Sequence, residues 1–248
     1  MSESDHSLPS HRLPSHVAII MDGNRRWAIQ RGKPPVWGHK KGSEAVEHTV
    51  RAAADIGIEY LTLFGFSTEN WKRAEDEVSG LIGLLRHYLK SKTAELHKNK
   101  VRLRVIGEQE RFPKDVADQI AHAETLTRNN EGLQLQIALS YSGRWDLTRA
   151  CRMIAEKVEN GQISSEEINS ALIDSHLSTS DIPDVDLMIR TSGELRISNF
   201  LLWQAAYAEL YFCETLWPDF GKEGLEKAIE SYTQRERRFG ADASVSVQ

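Results

Sequence analysis

The chain has 248 residues, of which 40% are hydrophobic and 27% are charged, and its formal net charge at pH 7 is −5. This length and apolar content suffice for one large hydrophobic core, so we expect one domain. The negative charge disfavours a nucleic-acid-binding protein, because neutralising a phosphate backbone requires a broad basic surface.

The two ends of the chain are predicted to be flexible tails. Residues 1–15 are polar and lack the apolar stretch of a signal peptide, and residues 241–248 form a second tail. The folded domain is therefore expected to span 16–240. No apolar run approaches the ~20 residues that a membrane-spanning helix requires, so we expect a soluble, cytoplasmic protein.

The cysteines indicate a reducing compartment. Cys151 and Cys213 lie in apolar periodic segments without a partner nearby in the sequence, a pattern typical of buried, reduced thiols. A disulfide between them is the alternative that the sequence leaves open.

The first predicted element is an apolar, β-branched strand that begins at His16 and ends before Asp22. Gly23 and Asn24 then predict a tight loop, and the arginines that follow begin a helix. Such a loop presents N–H groups to an anion, and guanidinium groups match phosphate oxygens. Asp22 would repel phosphate, unless a Mg²⁺ ion bound by the carboxylate and by phosphates lies between them.

The rest of the chain alternates between helical and strand patterns. A loop is predicted at 32–35, because paired prolines do not fit inside a helix. Periodicity then predicts helices over 41–57, 76–98, 116–126, 147–158 and 225–237, and another that opens with the capping box of Ser164 and Glu167. Strands are predicted over 60–66, 101–106, 133–139, 186–190 and 209–212.

This alternation predicts an α/β domain with a mostly parallel central sheet of about six strands flanked by helices. Polar segments follow the first, second and fifth strands. Because the carboxyl ends of parallel strands meet at one edge of the sheet, we expect these segments to share one cleft.

Five sequence blocks resemble the cis-prenyltransferases that make undecaprenyl diphosphate. The first is the string Met-Asp-Gly-Asn-Arg-Arg-Trp-Ala from Met21, and the others lie at 38–39, 66–71, 142–146 and 190–204. An isolated Asp-Gly-Asn would be weak evidence, whereas five blocks in order are specific. The resemblance covers roughly residues 13 to 240.

The resemblance implies a Mg²⁺-dependent transferase. It would condense isopentenyl diphosphate repeatedly onto farnesyl diphosphate with cis double bonds, giving undecaprenyl diphosphate, the lipid carrier precursor for cell-wall polysaccharide. It also implies a homodimer, an apolar tunnel for the prenyl chain, and a transient contact with a membrane surface at product release.

For the allylic diphosphate, the resemblance assigns Asp22 as the catalytic metal ligand. The remaining contacts to this diphosphate are Gly23, Asn24, Arg25, Arg26, Trp27 and His39. Each of three residues has a simpler alternative role. Asp22 could be the N-cap of the following helix, Arg25 could face solvent, and His39 could be a surface cap.

The second strand ends in a further group of candidate residues. Asn70 is assigned as catalytic, and the substrate contacts of this block are Phe66, Ser67, Trp71, Arg73 and Glu77. Core packing is the alternative for both aromatic residues. Glu77 could instead stabilise the N-terminus of its own helix.

The last block supplies the predicted site for isopentenyl diphosphate. Arg190, Arg196 and Ser198 match its binding residues, although the arginines could pair with acids such as Glu194. Glu209 matches a second metal ligand. The contacts that reach the partner subunit's active site are assigned to Arg238 and Gly240, for which a charged helix end is the alternative.

Two positions depart from the family pattern. Pro35 replaces an arginine that contacts the allylic diphosphate, and Arg31 or Lys33 could substitute for it. Ala74 replaces a proline, which leaves the loop before Glu77 more mobile.

The resemblance places the tunnel along the third helix. Its walls would be Leu81, Ile82, Leu84, Leu85, Tyr88 and Leu89, together with the strand from Leu133. Ordinary core packing is the alternative for all of them.

Two other functions are less consistent with the sequence than prenyl transfer. A non-catalytic lipid carrier or binding subunit on the same scaffold is disfavoured by the presence of Asp22, Arg190, Arg196 and Ser198. A P-loop phosphotransferase is disfavoured because no Gly-x-x-x-x-Gly-Lys-Ser/Thr string occurs.

Overall fold

The computed structural model describes residues 13–235. Their six strands form a single sheet in which all neighbours are parallel, in the order β3-β4-β2-β1-β5-β6. The strands are β1 (His16–Ile20), β2 (Tyr60–Ser67), β3 (Arg102–Ile106), β4 (Gln134–Tyr141), β5 (Leu187–Arg190) and β6 (Glu209–Phe212).

Helices connect the strands. They are α1 (Asn24–Gln30), α2 (Pro35–Ile56), α3 (Glu75–Lys98), α4 (Lys114–Thr127), α5 (Gly143–Glu159), α6 (Ser170–Asp174) and α7 (Gly221–Thr233). The predicted α/β fold with a parallel sheet is confirmed.

Strand β1 lies at the centre of the sheet and is buried along its whole length. It pairs with β2 on one side and β5 on the other, so that Val17 is opposite Leu61 and Leu187. The strand order changes direction here, and such a switch point opens a crevice at the carboxyl ends of the strands. The polar segments that follow β1, β2 and β5 therefore meet, as the sequence predicts.

The core has two parts, one on each face of the sheet. The larger cluster includes Leu63, Leu135 and the fully buried Trp217, whose Nε1 donates to the Gly42 carbonyl at 2.9 Å. On the other face, Phe64 stacks on Phe200 with 4.3 Å between ring centroids. Both faces of the strands are covered, which explains their near-continuous apolar runs.

Several predicted helix boundaries are wrong: α5 begins at Gly143 rather than at 147, and α7 begins at Gly221 rather than at 225. Helix α2 begins at Pro35 rather than at 41, because proline is tolerated at the first helical position, where no N–H bond is needed. The capping box of Ser164 and Glu167 forms, but it caps only a three-residue 3₁₀ turn.

The cysteine prediction is partly wrong. Both thiols are free, but Cys151 is exposed and Cys213 is only half-buried. The apolar period of α5 places Ala150 and Ile154 in the core and turns position 151 to solvent.

Between residues 13 and 235, no helix combines the length and the apolar character needed to cross a bilayer.

Candidate active site

A cavity of about 690 Å³ lies where the carboxyl ends of β1, β2 and β5 meet. Most of the predicted site residues line it: Asp22, Gly23, Asn24, Arg25, His39, Phe66, Ser67, Asn70, Arg73, Glu77, Arg190 and Ser198. Residues separated by as much as 176 positions in the chain thus share one crevice.

Asp22 and Arg190 form an ion pair across the floor of this cavity. Nη2 of Arg190 lies 2.8 Å from Oδ2 of Asp22, and Oδ1 accepts the N–H of Gly23 at 2.7 Å. Burial alone would raise the pKa of Asp22, but the hydrogen bond and charge of Arg190 outweigh it and hold this pKa below its usual range. Asp22 is therefore an ionised carboxylate near neutral pH.

The N-cap alternative for Asp22 does not hold. Gly23 occupies the N-cap position of α1, with φ +105°, and no side chain caps the helix. A Cβ at Gly23 would lie 2.9 Å from Leu216 and 3.1 Å from Ser192, so only glycine fits this turn.

The guanidinium of Arg190 is buried and held by the loop after β5. Its Nη1 donates to the Arg196 carbonyl at 2.6 Å and to Oγ of Ser198 at 2.7 Å, while Nε has no partner among the described residues. Ser198 and Asn199 have φ values of +48° and +62°. Non-glycine residues in this region are strained, and such strain is concentrated at functional sites.

His39, Arg73 and Glu77 form a second polar group on the wall made by α2 and α3. Arg73 donates to Glu77 at 2.9 Å, and Nε2 of His39 lies 4.0 Å from the same carboxylate oxygen. Burial and the charge of Arg73 lower the pKa of His39, against the opposing effect of Glu77. His39 is thus a half-buried, neutral imidazole at pH 7 and not a surface cap.

Ser67 and Asn70 are fixed by one capping interaction. The N–H of Ser67 donates to Oδ1 of Asn70 at 3.0 Å, at the start of the 3₁₀ turn Thr68–Lys72. This turn also brings Glu69 to Asn199, whose amide donates to it at 3.2 Å.

Glu69 and Asn199 line the cavity, although sequence reasoning gave them no role. Both lie within the sequence blocks that resemble the family, and this position in the sequence was the available indication that they line the site. Their hydrogen bond joins the loops after β2 and β5.

Four of the predicted substrate contacts lie outside the cavity lining. Arg26 donates to Ser192 at 2.6 Å, and Arg196 pairs with Glu194 at 2.5 Å. Trp27 donates to Asp219 at 2.8 Å, and Trp71 donates to Ser140 at 2.9 Å.

The two cations offered as substitutes for the family arginine at Pro35 also lie outside the cavity. Arg31 pairs with Asp219 at 3.0 Å and stacks on Trp27, while Lys33 lies over the Trp37 ring. The arginines that line the cavity are Arg25, Arg73 and Arg190.

The structure does not bring Glu209, the second metal ligand predicted from the resemblance, next to Asp22 of the same chain. Glu209 begins β6 opposite Leu187, at the amino end of the strands, whereas Asp22 follows the carboxyl end of β1. Each strand residue advances about 3.3 Å, so the two carboxylates are too far apart to coordinate one ion. Glu209 instead pairs with Arg235 at 2.8 Å. Arg238 and Gly240 lie outside the described residues.

A smaller apolar cavity of about 140 Å³ adjoins the first, sharing Met21, Asn24, His39, Gly65 and Leu81 with it. Of the predicted tunnel residues, Leu81, Leu84, Leu85 and Tyr88 line this space, whereas Ile82 and Leu89 do not. From the strand that begins near Leu133, Ile137 and Leu139 contribute. Tyr88 also lines a third cavity of about 320 Å³ between the far ends of α2 and α3.

Comparison with known families matches residues 20–240 to the prenyltransferase family described as "Putative undecaprenyl diphosphate synthase". The chain belongs to this prenyltransferase family. The match includes every block that lines the cavity.

Individual members of the family are similar over nearly their full length. A ditrans,polycis-undecaprenyl-diphosphate synthase of Vibrio parahaemolyticus, named as specific for (2E,6E)-farnesyl diphosphate, is 52% identical over 93% of this chain and 92% of the relative. An isoprenyl transferase of Agrobacterium fabrum is 53% identical over 92% of this chain and 93% of the relative.

Solved structures share the prenyltransferase fold. Lavandulyl diphosphate synthase from Lavandula x intermedia, in complex with dimethylallyl diphosphate, has a TM-score of 0.91 and 39% identity, covering 93% of this chain and 100% of that one. A probable undecaprenyl diphosphate synthase from Campylobacter jejuni has a TM-score of 0.76 and 35% identity, covering 92% and 98%.

Proposed function

We propose that this prenyltransferase condenses isopentenyl diphosphate repeatedly onto farnesyl diphosphate, with cis double bonds, to give undecaprenyl diphosphate. The observation that carries the proposal is a cavity floored by the Asp22–Arg190 pair that adjoins an apolar cavity and shares lining residues with it. A charged head and an apolar tail need these two environments side by side. The names of the similar enzymes supply the substrate and product.

The reaction breaks the allylic C–O bond, and the diphosphate leaves with the electron pair. The terminal alkene carbon of isopentenyl diphosphate bonds to the allylic carbon, and a proton is then lost from the isopentenyl unit. Because two anionic heads must lie close together, the site's main task is to lower their repulsion with fixed donors and cations.

The allylic diphosphate is proposed to lie over the β1–α1 loop. Gly23, Asn24 and Arg25 line this side of the cavity, and His39 faces it from α2. Nε2 of His39 and Oδ1 of Asn24 are buried without hydrogen-bond partners among the described residues. Buried polar atoms are rarely unpaired, and a diphosphate oxygen would accept a hydrogen bond from Nε2–H of His39, whereas Oδ1 of Asn24 is itself an acceptor and needs a donor.

Isopentenyl diphosphate is proposed to bind at the β5 loop. Arg190, with its unpaired Nε, and Ser198 line the cavity here. Arg196 would reach the same anion by leaving Glu194, to which it is bonded at the exposed rim. Arg26 would likewise exchange Ser192 and Glu194 for phosphate oxygens.

Mg²⁺ fits Asp22, which is proposed as its protein ligand. This ion is commonly bound by one or two carboxylates together with substrate phosphates. Asp22 is ionised and partly open to the cavity, and no cluster of three His, Cys, Asp or Glu side chains occurs within 13–235. When bound, the ion would neutralise charge on the departing diphosphate.

The loop after β2 is proposed to orient the reacting ends. Ser67 and Asn70 face the cavity in a fixed geometry, with Phe66 beside them and Trp71 packed behind Phe66 at 4.9 Å between ring centroids. The Arg73–Glu77 pair keeps α3 next to His39. The growing chain then enters the apolar cavity along α3.

We also propose that the chain acts as a cytoplasmic homodimer that contacts a membrane surface transiently. Leu195, Tyr207 and Leu210 are exposed near the edge strand β6, with exposed fractions of 77%, 75% and 39%. Such apolar surface beside a sheet edge is typical of subunit contacts. Arg238 and Gly240 are proposed to reach the partner subunit's cavity.

Incubation of purified protein with Mg²⁺, farnesyl diphosphate and radiolabelled isopentenyl diphosphate tests the function. We expect label in an organic extract, in a polyprenyl product whose length and cis double bonds are determined by mass spectrometry and NMR. A lipid carrier on the same scaffold would bind the substrates, but the organic extract would contain no elongated product. That result would exclude the proposed reaction.

A further inference from the structure

The corner between α1 and α2 exposes three large apolar side chains. Ile29, in the last turn of α1, is 58% exposed, and Val36 and Trp37, in the first turn of α2, are 50% and 51% exposed. They lie within nine residues of the chain, on either side of the short connection at 31–34. Clustered apolar exposure of this kind marks an interaction surface.

The same corner is basic, although the chain as a whole carries a net charge of −5. Between Gly23 and Ser43 the sequence contains no Asp or Glu, and its basic residues are Arg25, Arg26, Arg31, Lys33, Lys40 and Lys41. The surface therefore attracts an anionic partner.

Two of these lysines are directed to the exposed indole. Nζ of Lys33 lies 5.7 Å and Nζ of Lys40 lies 5.6 Å from the Trp37 ring. Within the described part of the chain, neither is bonded to a carboxylate, whereas Arg31 and Lys41 are paired with Asp219 and Glu44. The uncompensated charge is thus concentrated around Trp37.

This corner is rigidly joined to the candidate active site. At Gly38 a Cβ would lie 1.9 Å from the Asn24 carbonyl oxygen, so α2 packs directly on the loop that begins α1. Asn24 and His39 line both the polar and the apolar cavity. A surface bound at Trp37 would therefore lie beside the space in which the prenyl chain grows.

We propose that this corner docks the enzyme on an anionic lipid bilayer. An exposed tryptophan flanked by lysines is typical of side chains at the membrane–water interface, where the ring enters the headgroup region and the ammonium groups meet anionic lipids. Its purpose, delivery of a lipid product, rests on the proposed function. The binding itself does not.

Co-sedimentation with vesicles tests the proposal. We expect the protein to pellet with phosphatidylcholine vesicles that contain phosphatidylglycerol, more weakly at high salt, and little with phosphatidylcholine alone. Trp37→Ala is expected to weaken partitioning roughly tenfold, and Lys40→Gln about fivefold. Ile168→Ala and Lys114→Gln, which change exposed residues elsewhere on the surface, are the controls and should bind unchanged.

Three further measurements decide the outcome. Asp22→Asn protein, in which the proposed chemistry is removed, should still bind the vesicles, so loss of function and loss of docking are distinguishable. Circular dichroism establishes that Trp37→Ala is folded. Undiminished vesicle binding by Trp37→Ala would overturn the proposal. A smaller assembly mass for this variant in lipid-free sedimentation would do so as well, because the corner would then be a subunit contact.

Discussion

At the scale of single residues, the candidate site depends on one ion pair between distant parts of the chain. Asp22 and Arg190 are 168 positions apart, and only the pairing of β1 with β5 brings them together. In this pair each side chain compensates the charge of the other. In the proposed function, Mg²⁺ would bind Asp22 and a diphosphate would bind Arg190, so substrate binding would replace the contact between these two side chains with contacts to the ligands.

Replacing Asp22 with asparagine should abolish most activity while keeping the fold. The amide preserves shape and can accept the Gly23 N–H, but it removes the charge that pairs with Arg190 and is proposed to bind Mg²⁺. We expect kcat to fall about 100-fold or more, measured by isopentenyl incorporation at saturating substrate and Mg²⁺.

Asp219→Asn is the matched control for Asp22→Asn. Asp219 is also a carboxylate bonded to an arginine, but it lies outside the cavity lining. Near-normal turnover in Asp22→Asn would remove this carboxylate from the proposed mechanism.

At the scale of secondary-structure elements, one side chain of α3, that of Tyr88, lies between two cavities. Tyr88 lines the apolar cavity beside the candidate active site and also the larger cavity between α2 and α3. The first holds about 140 Å³, comparable to roughly five water molecules in the liquid, so it accommodates only the start of a prenyl chain. Tyr88 lies between this space and the cavity of about 320 Å³.

Tyr88→Ala is therefore expected to lengthen the product. Removing the ring is expected to join the two cavities that Tyr88 lines, and each additional CH₂ that leaves water would contribute about 0.8 kcal/mol to binding of the chain. Product length is read by mass spectrometry of the extracted lipids.

Leu89→Ala provides the comparison for Tyr88→Ala, since Leu89 is the next residue on α3 and is buried in the core without lining either cavity. It should lower stability by about 2–5 kcal/mol without changing product length. An unchanged product distribution in Tyr88→Ala would show that the chain takes another path.

Sequence reasoning predicted the strands and their meeting edge because apolar runs and turn residues are local signals. Matching a family motif does not indicate which residues of the motif lie at the same edge of the sheet. Glu209 begins its strand, whereas Asp22 follows one, and in a parallel sheet these positions lie at opposite edges. Trp27 illustrates a second limit of prediction from sequence. The motif around Trp27 does not indicate that its indole N–H donates to Asp219, which is distant in the chain.

At the scale of the whole molecule, stability should depend on a buried histidine. Burial lowers the pKa of His16 below 6.5, although hydrogen bonding to Pro183 and the charge of Asp186 oppose this. As pH falls below 6.5, the unfolded chain binds a proton that the folded chain excludes, so folding becomes less favourable.

We expect the free energy of unfolding in urea to be lower at pH 5.5 than at pH 7.5, with His16 contributing about 1 kcal/mol of the difference. His16→Gln should reduce this slope. The carboxylate of Asp22, whose pKa is lowered from 3.8, loses its contribution only under more acidic conditions. An identical slope in the variant would refute the role of His16.

The central position of β1 also affects how the chain folds during synthesis. β1 leaves the ribosome early, but its neighbour β5 is 170 positions further along, as the pairing of Val17 with Leu187 defines. At a synthesis rate of about 5–20 residues per second, β1 is made roughly ten to thirty seconds before this partner. A nascent chain that stops before β5 leaves one side of β1 uncovered, so chaperone capture should be greatest in that interval.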